Sequence, residues 1–260
     1  MPINTHQSFR QKRLLILGLC VATIAIVLWL PPIPQDPAYH HFADQRMFLG
    51  IPHFFNTLSN LAFLVVGGWG IRRVMSAPQP GMLPELRSGY LVFFIGVALI
   101  AGGSGYYHWH PTNERLVWDR LPIIISLMAF FAVIVGERIG VTAGRRCLWP
   151  LLALGVAAVV YWAVTEAQGN GDLRPYVVAQ FLPLLLIPII LVLFPSRFAG
   201  ESCLWATLLA YAVAKAGEML DAAVYDFSGV ISGHTLKHLV AAGGAGLFLL
   251  ALRRRSRIAQ

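Results

Sequence analysis

The sequence predicts an all-α integral membrane protein of eight transmembrane helices, and three observations carry that reading. Of its 260 residues 57% are hydrophobic and 12% charged, with a mean hydropathy of +0.65, far above what a soluble domain tolerates. Eight apolar stretches are long enough to cross a hydrocarbon core of ~30 Å, which takes about 20 helical residues. The basic residues fall on alternate connections, as the positive-inside rule requires of a multi-pass chain.

The first apolar run, 14–30, is closed by Pro31, Pro32 and Pro34, which lack the N–H that a continuing helix needs. Lys12 and Arg13 before it also fit a signal peptide, but the run is long and no A-x-A site follows, so it is read as a retained helix. The 52–71 run opens with Asn56, Ser59 and Asn60, whose side chains suit hydrogen bonding between helices. Pro78, Pro80 and Pro84 punctuate the loop after it. Runs at 89–108 and 119–136 flank a polar stretch, and 148–165 follows. The 175–194 run is broken by Gln180, Pro183 and Pro188, and 203–222 and 232–252 complete the set. With short connections, no tandem repeat and no low-complexity tract, the expectation is one compact bundle.

The formal charge of +8 could suggest nucleic acid, but its placement excludes that partner. Fourteen of the twenty basic residues lie at the two ends and on alternate loops, among them Arg138 and Arg255. Arg46, Arg115, Arg120 and Arg174 lie on the other side, and Lys215 and Lys237 fall inside helices. This split places both termini in the cytoplasm and the 31–50, 109–118, 166–174 and 223–231 connections outside. Cys20, Cys147 and Cys203 lack paired spacing, so neither a disulfide framework nor a thiolate metal site is expected.

An ionisable side chain in hydrocarbon needs a partner or a task, which makes a short list informative. In "SGHTLKHL", His234 and His238 are at i, i+4 and share a helix face, so both can bind one ion. The plainer reading is a coincidental or hydrogen-bonded pair; a third histidine, His108, at another span's outer end favours metal. Three neutral histidines leave one tetrahedral position open, as in catalytic zinc, and Zn²⁺ can lower the pKa of bound water toward ~7. In "SGYYHWHPTNERLVWDRLP", Ser104 and His108 are also at i, i+4, and Asp119 follows eleven residues later. Asp119 reads either as a general base for that water or as a helix N-cap with Pro122 in the first turn. Ser104 reads as an oxyanion donor or as a small residue permitting helix contact. Lys215, Glu218 and Asp221 share a face as internal charge pairs, or the two acids orient a ligand histidine through its other ring nitrogen. His40, His41 and His110 read as solvated or interfacial.

The S-x3-H pattern, the aspartate eleven residues on and the late H-x3-H together resemble the alkaline ceramidase family, within a superfamily of seven-helix membrane hydrolases that includes adiponectin-receptor-like proteins. "FFNTLSNLAFLVVG", "GDLRPYVVAQFLP" and "AKAGEMLDAAVY" are similar to that family too, over about residues 51–252. The resemblance implies a seven-helix hydrolase core with zinc held by His108, His234 and His238. It implies Ser104 and Asp119 beside the zinc water, and hydrolysis of the amide of a ceramide-like lipid taken from the bilayer. Residues 1–50 then add one N-terminal transmembrane helix and an outer loop, and 253–260 form a basic cytoplasmic tail. Eukaryotic members bind calcium through an acidic run and a glutamate. Here the region reads "YHHFADQRMFLGIPHFFN", with His53 in the glutamate's place and Asp44 the only carboxylate near, so calcium is not expected. The setting expected is a bacterial inner membrane with the site toward the periplasm and no obligatory protein partner. A lipid hydrolase of other amide or ester specificity, and a zinc-containing receptor or transport protein, remain open readings.

Overall fold

A computed structural model describes residues 5–76 and 80–258; Pro78 lies outside them. The described residues form an all-α membrane protein: α1 (Thr5–Trp29), α2 (Phe54–Leu58), α3 (Leu61–Met75), α4 (Arg87–Trp109), α5 (Asn113–Arg138), α6 (Val141–Ala167), α7 (Arg174–Leu193), α8 (Ser202–Met219), α9 (Asp221–Ser228) and α10 (Gly233–Arg254). With α2 and α3 taken as one span, seven helices are long and apolar enough to cross a bilayer. The α8–α9 pair, bent by 80°, makes an eighth when counted as one. All eight apolar runs are therefore helical.

Two breaks have local causes. Between α2 and α3, the side chains of Ser59 and Asn60 both donate to the Asn56 carbonyl (3.1 and 2.8 Å), offering the backbone an alternative to the helical ladder. The α9 helix ends at Gly229 with φ 65°, a left-handed position that glycine takes without a Cβ penalty.

The centre of the bundle is α5, buried along most of its length and packed against α4, α6 and α7. By contrast α1 packs mainly on α7 and leaves apolar side chains such as Leu17, Val21 and Ile26 exposed, the pattern of a lipid-facing helix outside the core. Where α4 meets α5, a Cβ on Gly103 would collide with the Trp118 carbonyl.

The start of α5 decides against one of the two sequence readings of Asp119, the helix cap. The α5 helix begins at Asn113, capped by Thr112, whose hydroxyl accepts from Arg115 N (3.3 Å). Asp119 is thus inside the helix and is no N-cap. Pro122 is interior rather than in the first turn; its missing N–H leaves the Trp118 carbonyl without its usual helical donor.

A second correction concerns charges counted as loop residues. Arg138 is buried, donating to Leu191 O (3.0 Å) and Phe194 O (2.9 Å) and pairing with Glu201. Arg255 is buried against Glu137 and donates to Gly81 O (2.6 Å), with the Phe198 ring 4.1 Å from its guanidinium carbon. The tail past α10 lies along residues 197–199 through Ala199 N to Ser256 O (2.9 Å) and Ile258 N to Arg197 O (3.0 Å). Desolvated charges need partners, and these arginines find them across the end of the bundle.

Candidate metal centre

At the end of the bundle away from Arg255, α10 starts under close control. Ser232 caps it, accepting from Thr235 N (3.1 Å). Asn56 Oδ1 accepts from the Ser232 and Thr235 hydroxyls (3.1 and 2.7 Å), tying α10 to α2. Asp221 accepts from the His234 backbone N (2.7 Å) and from Ala43 N in the loop between α1 and α2 (2.9 Å). This fixes the first turn of α10, and His234 and His238 stack one turn apart.

The last turn of α4 brings His108 to meet them. The ring centroids lie 4.8 Å (His108–His234), 4.9 Å (His108–His238) and 4.9 Å (His234–His238) apart. One potential ligand nitrogen from each lies within 4.8 Å of the others, and all three side chains are buried. Phe42, from the loop between α1 and α2, packs on the triad with its ring 4.7 Å from His108 and 4.6 Å from His234.

The protonation of His238 can be read from its neighbours. The Ser59 hydroxyl gives its hydrogen to the Asn56 carbonyl and lies 2.8 Å from His238 Nδ1. A hydroxyl that gives its hydrogen to that carbonyl accepts Nδ1–H, which leaves the lone pair on Nε2. That Nε2 is buried with no protein partner, as is His108 Nδ1. Buried, unpaired imidazole nitrogens in neighbouring rings are costly unless something binds them. Three neutral nitrogen donors suit a zinc ion, so the residues present fit the implied metal. His234 Nε2 accepts from Lys237 Nζ at 3.1 Å, an ammonium placed to compete with a cation for that nitrogen.

Ser104 and Asp119 are both buried and line one cavity with His238. The two acids expected to orient a ligand ring do not do so directly. Asp221 holds His234 by its main chain, and Glu218 reaches His234 only through Lys237 (2.8 Å). The charge-pair reading holds for Lys215 and Glu218, while Asp221 stands outside it.

The loop between α1 and α2 is built in rather than solvated. His41 and His110 are exposed, but His40 is half-buried with both nitrogens engaged, to Tyr107 OH and Asn113 Oδ1 at 2.9 Å each. Tyr39 donates to Glu218 Oε1 (3.0 Å). Burial, with Glu218 and Asp119 near, pushes its phenol well above the ordinary value, so it stays a donor. Burial alone would raise the Asp44 carboxyl, but bonds from Arg46 at 2.8 and 2.7 Å outweigh it and hold the group below its usual value. His53 is turned to Asp44 O (3.3 Å).

Ser59, Phe42 and His40 were not singled out as functional by the sequence. Ser59 and Asn56 carried a signal, as polar residues in an apolar run, but one that any helix contact explains. Phe42 carried none.

The cavity has a volume of about 430 Å³, within the range of ligand pockets. Phe63, Phe93, Val97, Leu127 and Phe130 make its apolar wall, and Ser104, Asp119, Arg120, Lys215, Glu218 and Lys237 its polar end. Phe181 of α7 lines it and is also exposed outside. Arg120, read from sequence as an outer charge, is buried on this wall.

A membrane-helix bundle closed around three buried imidazoles at the polar end of an apolar cavity defines a multi-pass membrane protein with a candidate metal centre. Residues 47–199 match the family model described as Ceramidase. The match covers well over half of the chain, and the chain belongs to the ceramidase family. It contains Ser104, His108 and Asp119; α1, Glu218, His234 and His238 lie outside it, so it is shorter than the 51–252 resemblance. No curated protein and no solved structure matches the chain.

Proposed function

We propose that the chain is a zinc-dependent amide hydrolase that cleaves a ceramide-like lipid within the membrane, releasing a long-chain base and a fatty acid. The observation supporting this most directly is the convergence of His108, His234 and His238 beside a cavity that carries Ser104 and Asp119 on its wall. His108, His234 and His238 would hold the ion, which when bound polarises the acyl carbonyl and makes water nucleophilic near neutral pH.

The remaining work falls to the chain's own groups. Asp119 takes the proton of the attacking water as general base and returns it to the nitrogen, because an unprotonated amine leaves poorly. Ser104 donates to the carbonyl oxygen as negative charge develops there. The apolar wall receives the acyl chain, and Phe42 keeps bulk water from the imidazoles. With both termini cytoplasmic, the site faces the periplasmic side. Activity without calcium is the matching expectation, since Arg46 already occupies the Asp44 carboxylate.

The test incubates purified protein and ceramide in detergent with defined metals and reads products by mass spectrometry. Wild type is expected to release both products with zinc alone. Asp119→Asn should keep its metal by elemental analysis yet lose about 100-fold or more of turnover, while folded His108→Ala and His238→Ala should lose metal. Full turnover by Asp119→Asn would remove Asp119 from the mechanism. Zinc binding with no hydrolysis of any amide or ester lipid would point instead to a receptor or transport protein.

A further inference from the structure

We infer that Arg120, with the second ammonium of the Lys215–Glu218–Lys237 cluster, binds an acidic group on the amine half of the substrate, so that the preferred substrate is an anionic N-acyl lipid rather than a neutral one. This rests on the hydrolase reading above and narrows its substrate class.

Arg120 follows Asp119 on α5, is 6% exposed and lines the cavity. A guanidinium cannot shed its charge there. Its Nη2 donates to the neutral Gln35 Oε1, and its Nη1 is buried without a partner among the described residues. Its guanidinium carbon lies 4.0 Å from the Trp162 ring centroid and 4.7 Å from that of Tyr176. Among the described residues no carboxylate oxygen comes within 4.0 Å of it. Aromatic faces offset only part of the cost of burying a permanent charge in a membrane span. A counter-ion is missing.

The lysine cluster has the same imbalance. Lys215 and Lys237 both bond Glu218, whose Oε1 also accepts from Tyr39, so one carboxylate serves two ammonium groups. The polar end of the cavity thus holds three cations against the buried Asp119 and the largely buried Glu218. The other acid on the wall, Asp36, is exposed and caps its own turn through Ala38 N (2.8 Å). A metal ion in the triad would add further positive charge. Because Arg120 lines the cavity together with Asp119, which returns a proton to the leaving amine, the missing anion belongs to the amine half, and the apolar wall is left to the acyl chain.

Two matched lipid pairs test this: ceramide 1-phosphate against ceramide, and N-palmitoylglycine against N-palmitoylethanolamine. Binding is measured in metal-depleted wild-type protein, which keeps the Asp119 charge, and turnover in zinc-loaded wild type. The acidic member of each pair should bind about 10- to 100-fold tighter and turn over with a correspondingly higher kcat/KM. The preference should collapse in Arg120→Gln and shrink in Lys215→Met, which carries the test if the first variant fails to fold. Equal affinity within both pairs overturns the inference. So does palmitate binding as tightly and as Arg120-dependently as N-palmitoylglycine, since the cation would then serve the released acid. Acid-selective binding without hydrolysis of any lipid sustains the anion subsite while removing the hydrolase reading.

Discussion

Replacing Ser59 by alanine isolates the contact that sets His238. Ser59 Oγ lies 2.8 Å from Nδ1 and 3.1 Å from the Asn56 carbonyl, an arrangement in which the hydroxyl donates to the carbonyl, Nδ1 carries the proton and Nε2 the lone pair. In Ser59→Ala the Nδ1–H loses the hydroxyl at 2.8 Å, at a cost of about 1–3 kcal/mol. The ring is then free to move its proton to Nε2, the nitrogen that has no hydrogen-bond partner among the described residues. Loss of such a supporting bond lowers metal affinity by about 10- to 100-fold, which is about 1.4–2.7 kcal/mol and agrees with the lost hydrogen bond. The assay is competition of purified protein with a chromophoric zinc chelator for wild type, Ser59→Ala and Ser59→Thr, with helicity checked by circular dichroism. Ser59→Thr keeps a hydroxyl and should recover much of the affinity. Wild-type zinc affinity in a folded Ser59→Ala protein would refute the tautomer argument and with it the assignment of Nε2 as a ligand atom.

Glu137→Gln leaves Arg255 buried beside Gly81 and Phe198 without its counter-charge, and should destabilise the protein by about 3–5 kcal/mol. Thermal unfolding in detergent measures this, and a change below about 1 kcal/mol would mean the pair is hydrated in solution. Asp172 gives a pH-dependent outcome. Bonds from Arg174 hold its carboxyl down to about 2, from an ordinary value of 3.8. Because the folded value is the lower one, the contribution is complete above about pH 4 and fades as pH falls toward 2. Asp172→Asn should therefore be less stable than wild type at pH 5, with the gap closing toward pH 2; a gap that stays constant with pH would show that the carboxylate charge does not carry it. Arg174 also donates to Leu28 O and Leu30 O (2.9 and 2.6 Å), so loosening of α1 should accompany the loss.

The solvent made much of the fold legible in the sequence. Crossing lipid requires long apolar helices, so hydropathy located all eight segments, including the one bent at Leu220, and the cost of burying imidazoles made His108, His234 and His238 conspicuous. Helix ends were less legible: 119–136 began six residues late because polar Asn113, Glu114 and Arg115 hid the first turns of α5, and Asp119 was mistaken for a possible cap. Tertiary structure alone decided which polar groups meet. Ser59 and His238 are 179 residues apart in the chain, Arg255 and Glu137 are 118 apart, and Phe42 reaches the histidines from a loop without any periodic signal. Hydropathy is a local property of each segment in its solvent, whereas a hydrogen-bond partner or the missing counter-ion of Arg120 depends on which helix faces packing brings together.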